Sequence, residues 1–304
     1  MEKLDGLIAA THTPMRENGD LKLENISDYF HFLSRNNIRG IFLNGSTSEG
    51  YHLTTAERKQ TVEAWSNAAE GSNFKIFVFV GHLSTRDACD LAEHAASLKN
   101  IHGISATAPF YQKPASLDLL IDTCSTIAAS SASKPFYYYH IPVLTQVAVP
   151  MTQFLTLAAD RIPNLKGVKY THNDLEEYMM CKDLCGGKFE MFAGIDEIAL
   201  ASKACGATNY IGSTYNFMAP LYYKIFSAVD QGNFPEAQYL QKKAISIIKM
   251  IAPYGFISAC KFIMKEIGID NGYVRLPSKQ ISDMEKTELM KGLKMMGVDD
   301  LLSK

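Results

Sequence analysis

A (β/α)8, or TIM, barrel with a C-terminal helical extension is the fold that this sequence predicts. Eight short apolar runs alternate with longer amphipathic stretches through most of the 304-residue chain. Strands that alternate with helices form a parallel sheet, and eight such units close into a barrel. After the eighth run the alternation stops, and the pattern from Gly232 onward is helical.

Each strand is predicted where Val, Ile, Phe, Tyr or Leu cluster in a short run. The predicted strands cover residues 7–12, 40–43, 75–80, 103–108, 135–140, 167–170, 189–193 and 208–212. Each helix is predicted where apolar residues recur every three or four positions, in several cases after a Ser, Thr or Asp that can cap the first turn. These helices include residues 23–36, 54–70, 85–99, 117–130 and 196–205.

An open, doubly wound sheet is the alternative architecture. Such sheets usually carry a glycine-rich first turn, whereas the first turn here reads Thr11-His12-Thr13-Pro14. The closed barrel is therefore favoured. We divide the chain into this barrel, residues 1–231, and a helical extension packed on it, residues 232–304.

The composition narrows the function to small-molecule chemistry. The chain is 47% hydrophobic and 20% charged with a net charge of −2, and no Lys/Arg cluster suggests a nucleic-acid or membrane-surface partner. The first residues lack the basic and apolar regions of a signal peptide, and no run approaches the roughly 18 apolar residues of a membrane span. We therefore expect a cytoplasmic protein.

Metal-ligand patterns are absent from the sequence. The six cysteines form no CxxC pair and the eight histidines no HExxH motif. His140 and His172 have no obvious acidic partner, so we assign them no role. We expect neither a metal nor a cofactor.

Lys169 stands at the end of the sixth predicted strand. A buried strand end is a costly place for an unpaired ammonium, whereas a deprotonated lysine is a good nucleophile toward a carbonyl. The alternative is a side chain that reaches past the strand end to solvent. This segment alone leaves both interpretations open.

Residues that follow the strands of a barrel form its site, because the carboxyl ends of the strands meet at one face. The candidates besides Lys169 are Ser46, Thr47, Tyr111, Tyr139, Thr171, Gly194, Asp196, Glu197, Gly212 and Ser213. The turn at 46–47 can hold a carboxylate or simply cap a helix. Tyr139 can move a proton or only pack in the sheet. The acids at 196–197 can bind substrate hydroxyls or cap the next helix.

Four ordered segments together resemble the N-acetylneuraminate lyase / dihydrodipicolinate synthase family. They are residues 45–50, 139–142, 167–169 and 212–214, and their order, spacing and strand placement all agree. The resemblance runs from about residue 4 to the end of the eighth strand, with looser similarity beyond. It implies a cofactor-free class I pyruvate aldolase on a (β/α)8 barrel with three extra C-terminal helices, usually a homotetramer.

Matched position by position, the resemblance implies a role for each motif. Lys169 would form the Schiff base, Tyr139 would shuttle protons with Thr47, and Ser46 and Thr47 would hold the pyruvate carboxylate. Tyr111 falls where the family often places a tyrosine that reaches into a neighbouring subunit's site.

The resemblance also implies the substrate, N-acetylneuraminate, cleaved reversibly to N-acetylmannosamine and pyruvate. The residues that would bind its sugar chain are Thr171, Gly194, Asp196, Glu197, Gly212 and Ser213. Ser48 and Gln146 stand where glycine is common, which leaves the fine sugar specificity open.

Two enzymatic alternatives and one non-enzymatic alternative stay open. A sibling aldolase would act on another 2-keto-3-deoxy sugar acid. The dihydrodipicolinate synthase reaction is less favoured, since Leu144 replaces the arginine typical of that branch. A pyruvate or sugar sensor could dispense with Lys169, Tyr139 and Thr47, so their presence favours an enzyme.

Overall fold

Eight parallel strands close into a barrel in the computed structural model, which describes residues 5–304 apart from the Asp299 side chain. Residues 1–4, which the predicted barrel domain includes, lie outside the described residues. The strands are β1 Gly6–Ala10, β2 Gly40–Leu43, β3 Lys75–Phe79, β4 Ile101–Ala106, β5 Phe136–His140, β6 Leu165–Tyr170, β7 Glu190–Ala193 and β8 Asn209–Gly212. Each strand pairs with the next and β1 closes on β8, so the predicted fold class is confirmed.

Two strands, β4 and β6, begin two residues earlier than predicted, because glycines that resemble strand boundaries lie inside them. Gly103 is the third residue of β4, and a Cβ there would meet the Tyr137 ring at 2.6 Å. Gly167 is the third residue of β6, and a Cβ there would meet the Glu190 carbonyl oxygen at 1.9 Å. Both glycines therefore permit close approach of a neighbouring strand rather than a turn.

Helices follow the strands and form the outer layer. They are α1 Ile26–Arg35, α2 Thr55–Ala68, α3 Thr85–Ser97, α4 Leu117–Ala129, α5 Pro142–Thr145, α6 Met151–Ala158, α7 Leu175–Gly187, α8 Ala199–Ala204 and α9 Tyr215–Asp230. The side chains of Thr54, Ser84, Ser116 and Asp174 each accept a backbone N–H three residues on, which defines where four of these helices begin. The α7 backbone leaves helical geometry at Leu184.

The alternation of side chains along each strand separates two apolar layers. Tyr137 and Tyr139 belong to the cluster inside the barrel, together with Phe42 and Phe192. Tyr138 points outward and packs on Phe154 of α6, with ring centroids 4.5 Å apart. Successive residues of a strand face opposite sides, so this register directs Tyr139 into the barrel.

Three further helices follow the barrel: α10 Phe234–Ile251, α11 Phe256–Glu266 and α12 Asp283–Met296. The apolar stripe of α10, including Ala244, Ile247 and Ile251, is buried, in agreement with the helical pattern predicted from Gly232 onward. The proposed division after residue 231 falls between α9 and α10 and stays a prediction. Within residues 5–304 no single helix has the length and apolarity to cross a membrane, although the pair Phe234–Tyr254 and Phe256–Glu266, bent by 113°, passes that test together.

Candidate active site

A cavity of about 380 Å³ opens at the carboxyl ends of the strands. Its lining includes every predicted site residue except Tyr111, namely Ser46, Thr47, Tyr139, Lys169, Thr171, Gly194, Asp196, Glu197, Gly212 and Ser213. The volume lies within the roughly 300–1,000 Å³ typical of small-molecule sites. Barrel closure therefore brings together residues that the sequence separates widely.

Lys169 is buried at the base of this cavity, with 5% of its surface exposed. Its Nζ lies 4.0 Å from the ring centroids of both Phe42 and Tyr139. It forms no salt bridge with any of the described residues. The side chain does not reach past the strand end to bulk solvent, so the amine is reached through the cavity.

Tyr139 lies beside Lys169 because β5 and β6 pair in parallel with these two residues in register. The tyrosine also lines a smaller cavity of about 160 Å³ on its other side, with Tyr51, Phe110 and Leu144. Phe42 packs edge-on against it at 5.5 Å between centroids. The Tyr139 ring thus lies directly beside the lysine nitrogen.

The turn after β2 presents Ser46 and Thr47 to the cavity. It closes on itself through the Gly50 N–H, which donates to the Gly45 carbonyl at 3.0 Å. The Thr47 Oγ1 lies 2.6 Å from the Ser213 Oγ, a hydrogen bond between the β2 and β8 ends. The structure thereby joins residues that the resemblance assigns to opposite ends of the substrate.

A buried ion pair holds this turn from behind. The Lys261 Nζ of α11 lies 2.8 Å from the Glu49 Oε1, and neither side chain is more than 2% exposed. The Arg275 N–H donates to the other Glu49 oxygen at 3.0 Å. Burial lowers the pKa of Lys261, and Glu49 opposes that effect. Arg275 also binds Glu57 of α2, whose pKa it lowers to about 2.

Asp196 is the most perturbed acid of the cavity. Its Oδ2 accepts the Thr214 N–H at 2.9 Å and the Thr214 Oγ1 at 2.7 Å, while its Oδ1 has no partner among the described residues. Burial raises the pKa of Asp196 to about 6, against the lowering effect of Thr214. The carboxylate makes no capping hydrogen bond to the following turn, although Asp196 and Glu197 both lie in its first turn, where acids complement the helix dipole.

Glycine is required beside this carboxylate. A Cβ on Gly212 would lie 1.8 Å from the Asp196 Oδ1, and one on Gly194 would lie 2.2 Å from the Thr171 Oγ1. The Thr171 hydroxyl is buried and, like the Asp196 Oδ1, unpartnered among the described residues. Two buried polar atoms therefore lie at the same end of the cavity, each beside a glycine. Glu197, which is half-buried, completes this end.

Several lining residues have no signal in the sequence. Ile248 of α10 and Phe256 of α11 form part of the wall, although their apolar stripes resemble those of any packed helix. Gln241 of α10 donates to the Asp196 carbonyl at 3.2 Å. His172 and Asn173 line the rim after β6. The C-terminal helices thus contribute to the site as well as covering the barrel.

Tyr111 lies outside the lining of this cavity. Its side chain is 82% exposed, far more than any other tyrosine of the described chain. Within one chain it does not contact the group around Lys169. A role at the site would therefore need a second subunit.

Comparisons with known proteins agree over nearly the whole chain. The dihydrodipicolinate synthetase family model matches residues 3–296. Human N-acetylneuraminate lyase is 35% identical over 308 residues, covering 99% of this chain and 96% of the human protein. The solved structure of Proteus mirabilis N-acetylneuraminate lyase has a TM-score of 0.93 at 36% identity, covering 97% of this chain and 99% of that chain. A catalytic lysine mutant of Ruminococcus gnavus sialic acid aldolase has a TM-score of 0.91 at 26% identity, covering 99% and 98%.

Proposed function

The chain belongs to the dihydrodipicolinate synthetase family, and on that premise we propose that it is a class I aldolase that reversibly cleaves N-acetylneuraminate to N-acetylmannosamine and pyruvate. The observation that carries the proposal is the pair formed by Lys169 and Tyr139. A buried amine and a phenol stand side by side at the base of a cavity whose other end presents unpartnered polar atoms. Imine chemistry needs an amine beside a proton carrier, and a polyol substrate needs polar atoms that can bind its hydroxyls.

The reaction begins when the free Lys169 amine adds to the C2 ketone of the open-chain sugar acid. Tyr139 gives its phenolic proton to the departing hydroxide, so water leaves and an iminium forms beside a Tyr139 phenolate. The iminium attracts electrons from the C3–C4 bond. As that bond breaks, the C4 hydroxyl becomes an aldehyde and loses its proton to Tyr139, with Thr47 assisting. The products at this stage are N-acetylmannosamine and an enamine of pyruvate on the lysine.

The return half of the cycle restores the enzyme. Tyr139 returns the proton to C3 of the enamine, and water then hydrolyses the resulting imine. Pyruvate leaves and the Lys169 amine is regenerated. Because the iminium itself is the electron sink, this chemistry needs no metal and no other cofactor.

The two ends of the substrate are proposed to bind in different parts of the cavity. The turn carrying Ser46 and Thr47 holds the carboxylate. The free Asp196 Oδ1 and the Thr171 hydroxyl accept or donate hydrogen bonds to the sugar chain, and Gly194, Glu197, Gly212 and Ser213 complete that end. A site built from such unpartnered groups rejects substrates that lack the matching hydroxyls.

Borohydride reduction in the presence of pyruvate tests the mechanism. We expect a stable adduct of one pyruvate on the peptide that contains Lys169, located by mass spectrometry, and none in the Lys169→Ala variant. Lys166, three residues away on the same strand, provides the control, so Lys166→Ala should still be trapped. An adduct elsewhere, or none, contradicts the mechanism.

Pyruvate release from a panel of keto acids tests the substrate. We expect release from N-acetylneuraminate, and far slower release from hexose-derived 2-keto-3-deoxy acids. The reverse order would identify a sibling aldolase. Trapping without turnover of any member would leave a pyruvate sensor.

We also propose a homotetramer in the cytoplasm, in which Tyr111 acts in a neighbouring subunit's site. The exposure of Tyr111 on a single chain supports its proposed role in a neighbouring subunit's site. All six cysteines carry free thiols, as in proteins of reducing compartments.

A further inference from the structure

Three potential metal ligands meet behind the rim of the cavity. His140 ends β5, His172 follows β6, and Glu177 lies in the first turn of α7. One ligand atom from each lies within 4.8 Å of the other two. The sequence shows no acidic partner for these histidines, because Glu177 approaches His140 only when β5 and β6 pair and α7 folds back.

His140 has an unsatisfied nitrogen. The residue is 2% exposed, and its Nδ1 has no hydrogen-bond partner among residues 5–304. A buried polar atom without a partner is unfavourable and needs an explanation. The His172 ring stands 5.5 Å away, nearly perpendicular.

Glu177 is held in place by outer contacts. The Met151 N–H donates to its Oε1 at 2.6 Å, and the Tyr170 hydroxyl donates to its Oε2 at 3.0 Å. Each carboxylate oxygen has two lone pairs, so both can still bind a cation. Hydrogen bonds of this kind orient metal-ligating carboxylates in known sites.

We propose that His140, His172 and Glu177 form a binding site for a divalent transition metal of the Zn²⁺ type, with the remaining position open to water. Two imidazoles and one carboxylate are a ligand set that Zn²⁺ uses. Ligands about 2.0–2.1 Å from a tetrahedral ion lie roughly 3.3 Å apart, so the three side chains must close in on the ion. His172 is half-buried and also lines the cavity, so the ion can reach the three side chains from the cavity.

Calorimetric titration of the whole chain with ZnCl₂, without substrate, tests the site. A Cys185→Ser background removes the exposed thiol as a competing ligand. We expect one ion per chain, and at least a tenfold weaker affinity in His172→Ala and Glu177→Gln. His94→Ala is the matched control, because His94 also pairs with a glutamate, at 2.8 Å, but without a second histidine. That variant should bind Zn²⁺ as the background protein does.

Absence of binding, or equal affinity in His172→Ala, overturns the proposal. Because Glu177 also caps α6, thermal unfolding without metal must show that its variant is folded. Anomalous scattering from Zn²⁺-soaked crystals of the unaltered chain gives an independent answer. An ion between the three side chains supports the site. Ions bound at other places, with none between these side chains, overturn it. Neither result depends on the proposed aldolase activity.

Discussion

Individual residues of the site owe their chemistry to their surroundings. Lys169 is enclosed by two aromatic rings, and no carboxylate among residues 5–304 forms a salt bridge with it. Asp196 is enclosed as well, but two hydrogen bonds from Thr214 occupy only one of its oxygens. In the proposed mechanism, the same degree of burial therefore serves covalent chemistry at Lys169 and hydrogen bonding at Asp196.

Replacing Tyr139 by Phe removes the proposed proton carrier with little change in packing. We expect kcat to fall by roughly 10²–10⁴, the usual contribution of a positioned acid–base group. Borohydride trapping of pyruvate on Lys169 should survive. Steady-state kinetics and trapping on the same preparation check this, with Tyr138→Phe, which faces the outer layer, as control. Equal loss in both variants would point to packing instead.

The pKa of Asp196 predicts a pH dependence at the sugar end. Burial raises this pKa to about 6, so the carboxylate is charged above pH 6 and neutral below it. A neutral carboxyl accepts weaker hydrogen bonds from sugar hydroxyls than a carboxylate does. KM for the sugar acid should therefore rise as the pH falls through about 6. The effect should disappear in Asp196→Asn. An unchanged inflection in that variant would assign it to another group.

The raised pKa of Asp196 also predicts how the stability of the folded chain changes with pH. Its pKa is raised on folding, so the folded chain binds the proton more tightly than the unfolded chain. The contribution of Asp196 to stability is therefore greatest at low pH and declines as the pH rises to about 6. Asp196→Asn should reduce this slope in denaturation experiments.

At the scale of elements, the turn after β2 depends on helices more than 200 residues away in sequence. Glu49 has a left-handed backbone, with φ of 57°, and its side chain reaches Lys261 on α11. Arg275 links the same turn to Glu57 of α2. The position of Ser46 and Thr47 is thus set by the C-terminal extension.

Breaking this ion pair from one side should be costly. Lys261→Met leaves the Glu49 carboxylate buried without its cation, and we expect a loss of about 3–5 kcal/mol in the free energy of unfolding. The double variant with Glu49→Gln should recover part of that loss. Chemical denaturation measures both. Lys203→Met, which breaks the more exposed pair with Asp230, should cost no more than about 1 kcal/mol.

At the scale of the whole molecule, one chain builds the cavity around Lys169 but leaves Tyr111 outside it. The resemblance to the family implies that Tyr111 acts in the site of a second subunit. Whether it does so can be tested by an experiment in which two subunits supply different parts of one site.

Reassembled mixtures of inactive variants provide it. Lys169→Ala and Tyr111→Phe chains are mixed in equal amounts, dissociated and allowed to reassociate. If Tyr111 acts across a pair, half the pairs are mixed and one site in each is intact, so activity should approach about one quarter of wild type. Sedimentation should show tetramers throughout. No recovery in assembled tetramers would place Tyr111 in its own subunit's site, whereas full activity of Tyr111→Phe alone would place it in no site.

The barrel was predictable because its information is local. Alternating apolar periods encode each strand and helix, and parallel connection of eight units leaves few closed topologies. The positions of Lys169 and Tyr139 at strand ends followed from the same pattern. The starts of β4 and β6 are not predictable in this way, because a glycine that admits a neighbouring strand, such as Gly103 or Gly167, resembles one that admits a turn.

Side-chain partnerships depended on the tertiary structure. The bonds from Thr47 to Ser213 and from Asp196 to Thr214, and the meeting of His140 with Glu177, join residues on different elements whose separation in sequence carries no signal. Ile248 and Phe256 became cavity walls only because the C-terminal helices fold over the barrel mouth. The apolar periodicity that predicts strands and helices depends only on neighbouring residues in the sequence. These contacts arise instead from closure of the barrel, which places atoms from distant parts of the chain within a few ångströms of each other.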